Sequence, residues 1–183
     1  EEMIAAFDIA DVNKAASAFN PEKLLWLNQQ HLMRSDPAIV ARYLKPHLKR
    51  LGIECGDEGF LCSLVLAQRE RVKTLKEMAS ASRYFFGEGV TLDEKAAAKH
   101  LTAEARGLLK VLQHRLDALP EWTRVSVHSA LEVLAAEQAV GLGKVAQPLR
   151  VAVTGGTISP PIDLTLELLG RERSLARLRA VLG

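Results

Sequence analysis

Apolar residues recur along most of this chain at intervals of three and four, the period of a helix that buries one face. The clearest stripe is Leu108, Leu109, Leu112, Leu116 and Leu119. Ile39, Tyr43, Leu44, Leu48 and Leu51 form another, and so do Phe60, Leu61, Leu64, Val65, Val72 and Leu75. This third pattern is long enough for two helices, one of them reaching Tyr84-Phe85-Phe86. Shorter stripes follow at Leu24, Leu25 and Leu27 toward Met33, at Val127, Leu131 and Leu134, at Leu164, Leu166, Leu168 and Leu169, and at Leu175, Leu178 and Leu182.

The residues between the stripes are helix punctuation. Asn20-Pro21 and Ser35-Asp36-Pro37 each offer a capping side chain followed by a proline, whose fixed φ suits the first helical position. The second of these helices should end at Gly52, with a kink or interruption at Pro46. Asp57 should cap the next segment, and Gly87-Glu88-Gly89 should break it. Thr91-Leu92-Asp93-Glu94 has the form of a capping box. Pro120-Glu121-Trp122-Thr123 opens a helix that Gly141 and Gly143 are expected to close. Leu149–Thr154 is ambiguous, because its valines and threonine favour a strand. No partner strand is visible elsewhere, so a short helix stopped by Gly155-Gly156 is expected. Ser159-Pro160-Pro161 should cap the next helix, Gly170 should end it, and a basic helix should close the chain. The predicted fold is all-α.

Composition narrows the function classes. The hydrophobic fraction of 48% over 183 residues supports a real core, yet no apolar run approaches the ~20 residues that span a bilayer. No basic-then-apolar leader is visible, and the chain is expected to be cytoplasmic. Its start at Glu1-Glu2 without an initiator methionine suggests a piece of a longer protein. The net charge of +2 is too small to imply nucleic acid by itself, but its distribution is uneven. Between Gly141 and Gly183, Lys144, Arg150, Arg171, Arg173, Arg177 and Arg179 face only Asp163, Glu167 and Glu172. A solvated face of mixed charges would look the same.

Catalytic signatures are missing. There is no nucleophile elbow, HExxH pair or phosphate-binding Walker lysine, and His31, His47, His100, His114 and His128 are scattered singly. Gly155-Gly156 lacks the third glycine and the βαβ context of a dinucleotide site. Cys55 and Cys62, seven apart, read as buried reduced thiols on one helix face rather than metal ligands with His47. The better-supported chemistry is polyanion binding at Gln147–Asp163, where an arginine, a glycine turn and a proline-started helix fall together. Helix amino-termini and glycine turns expose backbone N–H groups, and arginine adds a forked, permanent donor. The basic terminal helix would add phosphate and base-edge donors, as single-stranded RNA loops demand. Tyr84-Phe85-Phe86 and Trp122 are expected in the core instead of in stacking platforms.

Several segments, in order and across essentially the whole chain, resemble bacterial glutamyl-tRNA synthetases. They are Phe7-Asp8, Val12-Asn13-Lys14, Phe19–Asn28, Arg69–Met78, Arg83–Phe86, Trp122-Thr123, Val127-His128, Gly143-Lys144, Gln147–Gly155 and Leu169–Leu175. The resemblance is to the carboxy-terminal part of that family. It implies a class I ligase that uses ATP with magnesium to join glutamate to its tRNA. The ATP-site motifs of the family have no counterpart here, so this chain alone is expected to hold no cofactor and to be inactive.

The resemblance also implies an organisation and a site. Residues 1–36 match the tail of the stem-contact domain, 37–100 a first helical anticodon-binding subdomain and 101–183 a second. Arg71 matches the position that reads the third anticodon base, where arginine rejects glutamine tRNA; a surface ion pair with Glu70 is its plainer reading. Arg150 matches an anticodon-contacting arginine. Ser159, Pro160 and Ile162 fall where the family touches the first two bases, with Gln147 as a further member. Around Gly156-Thr157-Ile158 the family varies, so contacts there are expected from the backbone. The implied partner is tRNA(Glu), bound by a monomer that carries no metal and meets no membrane. The competing class is a helical protein-interaction module, since leucine stripes serve that role as well.

Overall fold

The computed structural model describes residues 2–11 and 18–183, and every regular element among them is helical. Val12-Asn13-Lys14 lies outside the described residues. After a single turn, α1 (Glu2–Ala5), come α2 (Pro21–Arg34), α3 (Pro37–Lys49), α4 (Glu58–Gln68) and α5 (Leu75–Ala81). They are followed by α6 (Glu94–His100), α7 (Ala103–Asp117), α8 (Arg124–Glu137), α9 (Leu142–Thr154), α10 (Ile162–Leu169) and α11 (Arg171–Leu182).

Side-chain caps start most of these helices. Asn20, Asp36, Asp57, Thr74, Asp93 and Thr102 each accept a backbone N–H of the first turn, and Thr123 with Ser126 completes a reciprocal box. Each such bond satisfies a donor that the helix cannot use itself, worth about 1 kcal/mol. At Thr91–Glu94 the expected box does not form: Asp93 is the cap, and it bonds Ala96 N–H at 2.7 Å.

The stripes pack as their spacing demands. α3 lies against α4 and α5, while α7, α8, α9, α10 and α11 pack on one another and α10 reaches across to α4. Leu44, Leu48, Leu61 and Leu64 join one continuous core with Leu109, Leu112, Leu116, Leu131, Leu134, Leu149 and Leu178. Phe85 is fully buried, with Phe60 edge-on to both it and Phe86. The Trp122 indole donates to Leu166 O at 2.8 Å, so these aromatics serve the core.

Several expectations need correction. α3 runs through Pro46 without interruption, because the bond that proline forfeits lies on an exposed side of its last turns. Gly141 and Gly143 do not close α8, which ends at Glu137; Gly141 is the amino-terminal cap of α9 and Gly143 lies inside it. The helix ending at Thr154 therefore starts at Leu142 and passes through Pro148. Ser159 caps nothing, since α10 begins after Pro161 with no side-chain cap. Cys55 precedes α4 in the segment before Asp57, so the two half-buried thiols do not share a helix face.

The turn after α9 is anchored to the segment before α6. Gly155 stands at φ 83°, and its carbonyl accepts the Asp93 N–H at 2.8 Å. A Cβ there would lie 2.3 Å from the Thr91 carbonyl oxygen. Gly155→Ala is therefore expected to cost about 2 kcal/mol, combining left-handed strain with a backbone clash. Urea unfolding of the two proteins checks this, and an unchanged midpoint would contradict it.

Candidate nucleic-acid interface

Gln147 and Arg150 are three apart on α9, which puts them on one face of the helix at the turn into α10. The Gln147 side chain bridges helix and turn: its Nε2 donates to Thr157 O at 3.1 Å, and its Oε1 accepts from Arg150 Nη1 at 2.5 Å. Arg150 Nε donates to Ser159 Oγ at 2.9 Å. The Ser159 hydroxyl in turn donates to Pro160 O at 2.8 Å, and Thr165 Oγ1 lies 3.4 Å from it and bonds Pro160 O at 3.2 Å. Below, Thr154 Oγ1 returns to Arg150 O at 2.8 Å and also meets the backbone of Gly156. The guanidinium is thus held on two of its nitrogens, while Nη2 has no partner among the described residues.

Arg71 comes to this cluster from a distant part of the chain. It is exposed, in the turn between α4 and α5, with its N–H donating to Gln68 O at 2.9 Å. No ion pair with Glu70 forms among the described residues. Burial pulls the Arg150 guanidinium below the usual arginine range, and the charge of Arg71 pulls it further, against the Tyr84 phenol. Arg150 nevertheless stays charged at any physiological pH. Arg150 therefore feels a like charge from Arg71, with no carboxylate bound to either among the described residues.

Tyr84 lies beneath them. Burial pushes its phenol well above the ordinary value, against the pull of the Thr165 hydroxyl and of Arg71, Arg150 and Arg177. Its hydroxyl is buried and makes no hydrogen bond of good geometry.

The remaining expected contact residues are placed differently. Ser159, Pro160 and Ile162 are buried, so their side chains shape the turn from within. What the turn shows to solvent is Thr157, Ile158 and Pro161, with Ile158 79% exposed. From sequence Thr157 and Ile158 were expected to offer only backbone contacts, because nothing in the run Gly156–Pro161 reveals which side chains fold inward.

The basic helix is the largest correction. Three of its four arginines bond backbone carbonyls, and the exposed Arg179 pairs with Asp117 at the surface. Arg171 donates to Leu119 O and Asp117 O and sits over the Trp122 ring, 5.6 Å from its centre. Arg173 donates to Phe85 O at 2.6 Å, and Arg179 lies 3.7 Å from Asp117. Arg177 is buried and serves four carbonyls: Val153 at 2.6 Å, Tyr84 at 2.7 Å, Glu88 at 3.2 Å, and Gly87. The positive excess at the end of the sequence is mostly structural.

The acidic residues of α10 are engaged as well. Asp163 takes Arg124 Nε at 3.0 Å and lies 3.4 Å from His128 Nδ1, while Glu167 accepts the Arg124 N–H at 2.7 Å. Burial raises the Asp163 carboxyl, but the bonds from Arg124 and Leu164 and the charges of Arg124 and His128 outweigh it and hold it below the usual range. No group of three His, Cys, Asp or Glu among the described residues could hold a metal ion. No described helix is long and apolar enough to cross a membrane.

A family model described as an anticodon binding domain matches residues 39–182. The chain is 47% identical over 182 residues to glutamate–tRNA ligase 1 of Alkalilimnicola ehrlichii, covering all of this chain and 39% of that protein. It is 48% identical over 177 residues to glutamate–tRNA ligase 2 of Halorhodospira halophila, covering 97% of this chain and 38% of the relative. The chain thus spans less than two fifths of either relative, aligning with the carboxy-terminal part. Among solved structures, a glutamate–tRNA ligase from Elizabethkingia meningosepticum in complex with its amino acid superposes with a TM-score of 0.89. It is 28% identical, over 99% of this chain and 36% of that one. The glutamate–tRNA synthetase of Elizabethkingia anophelis gives 0.85 at 26% identity, over 99% and 35%. The chain belongs to the anticodon-binding domain family, in the form found in the carboxy-terminal part of the glutamate–tRNA ligases.

Proposed function

We propose that this chain reads the anticodon of tRNA(Glu) for a longer protein that ligates glutamate to that tRNA with ATP. The observation that carries the reading is the pairing of Arg71 with Arg150. The charge of Arg71 acts on Arg150, and neither has an acid to neutralise it among the described residues. Bringing two guanidiniums together costs energy that a bound anion returns, and an RNA loop offers phosphates and base-edge acceptors to such groups.

In this reading Arg71 meets the third base, and Arg150, oriented by Gln147 and Ser159, meets the first two. The buried Ser159, Pro160 and Ile162 set the course of the turn, so that its backbone and the exposed Thr157 and Ile158 line the contact. The site spans two helical subdomains, residues 37–100 and 101–183, with residues 1–36 as the end of a preceding domain. The protein acts as a monomer in the cytoplasm. ATP and magnesium belong to a part of the longer protein outside this chain.

Titration of the chain with tRNA(Glu) at 50 and 200 mM salt tests the reading. Neutralising two phosphates predicts a loss of affinity of about five- to tenfold between the two conditions. Binding that does not change with salt, or no binding at all, would contradict it. Gel filtration with and without tRNA distinguishes it from a protein-interaction module, which would not move with tRNA.

A further inference from the structure

The turn that carries Arg71 supplies few bonds of its own. Between the end of α4 at Gln68 and the start of α5 at Leu75, Val72 is buried, Lys73 N–H donates to Glu77 Oε2 at 2.8 Å, and Thr74 caps α5. The Arg71 side chain itself projects from an exposed position. It makes no ion pair among the described residues, so its aim has to come from the backbone beneath it.

Two carbonyls of that turn are held by a helix from elsewhere in the chain. On α2, Asn28 Nδ2 donates to Lys73 O and Gln29 Nε2 donates to Glu70 O at 3.1 Å. The two accepting carbonyls bracket Arg71, one before it and one after. Adjacent residues on one helix thus grip both sides of the turn, and both lie upstream of residues 39–182, the span that the domain family covers. Neither bond closes a core or caps a helix. Their common effect is to stop the turn from rotating.

We propose that Asn28 and Gln29 are positioning residues for Arg71, fixing the backbone on either side of it and so the direction in which its guanidinium meets a base. The proposal rests on the reading that Arg71 contacts the third anticodon base. Selection by a forked donor depends on direction, because only one presentation meets the acceptor pattern of a given base edge. A turn free to rotate would leave Arg71 attracted to RNA in general and less choosy about the base.

The test measures the affinity of the 183-residue chain for tRNA(Glu) and for a transcript changed only at the third anticodon base; their ratio is the discrimination. Replacing both residues, Asn28→Ala with Gln29→Ala, should lower that ratio about three- to tenfold, the range expected for one or two surface hydrogen bonds. Added to Arg71→Gln, the same pair of changes should have no further effect on the ratio. Equal weakening toward both transcripts, with the ratio intact, would show a merely structural role and overturn the proposal. If Arg71→Gln lowers the ratio and the α2 pair does not, the proposal alone falls. If Arg71→Gln leaves the ratio unchanged, the placement of Arg71 at the third base falls and takes the proposal with it.

Discussion

Arg177→Met is expected to lower the unfolding free energy of this chain by about 3–5 kcal/mol, the range for breaking a buried, fully bonded charge. Arg177 is 3% exposed and forms no ion pair among the described residues; its bonding partners there are carbonyl oxygens. Val153 O, in the last turn of α9, is one of the carbonyls a helix leaves unbonded, at the negative end of its dipole. The carbonyls of Tyr84, Gly87 and Glu88 belong to the irregular segment after α5. One side chain therefore ties α9, α11 and that segment together. Methionine would match the bulk and leave the four acceptors without a donor. Lysine would keep the charge, but its single ammonium lacks arginine's fork, so Arg177→Lys should fall between the two. Denaturant unfolding provides the measurement, and a loss below about 1 kcal/mol for methionine would contradict the bonding described. Because Arg177 holds the Tyr84 carbonyl and the Tyr84 phenol feels the charges of Arg71 and Arg150, the methionine variant should also weaken tRNA binding.

Arg150→Ala is expected to weaken binding of tRNA(Glu) about 10- to 100-fold while leaving stability nearly unchanged, as for loss of a charge-assisted hydrogen bond to a ligand. The guanidinium is already oriented before RNA arrives, through Ser159 Oγ and Gln147 Oε1, so little freedom is lost on binding. Arg150→Lys should recover only part of the loss, because an ammonium cannot hold both partners and present a planar face. Equilibrium binding beside a thermal melt separates the two effects. Wild-type affinity for the alanine variant would remove Arg150 from the interface.

Much of the fold was legible because helix starts are written locally. Asn20-Pro21, Asp36-Pro37 and Asp57 each announce a cap within three residues, and the caps form as expected. The start of α9 was not legible. Gly141 and Gly143 read as breakers, yet the buried Val145, Leu149, Val151, Ala152 and Val153 hold that helix by tertiary packing. The basic run Arg171–Arg179 misled for a related reason. A sequence displays charge, whereas the acceptors of Arg173 and Arg177 are backbone carbonyls that any residue could supply. The nearness of Arg71 to Arg150 could be read only through family resemblance, because nothing local links positions so far apart. The inward turn of Pro160 and Ile162 had no signal at all.

The central claim is that this chain distinguishes nucleotides in an anticodon loop, and a hairpin carrying only the anticodon arm of tRNA(Glu) tests it most directly. Its affinity should be compared with that of the same hairpin whose three anticodon bases are replaced and whose stem is untouched. The account predicts that replacement weakens binding by at least about tenfold, since the phosphates remain and only the base-edge contacts are lost. Equal affinity for the two hairpins would contradict it.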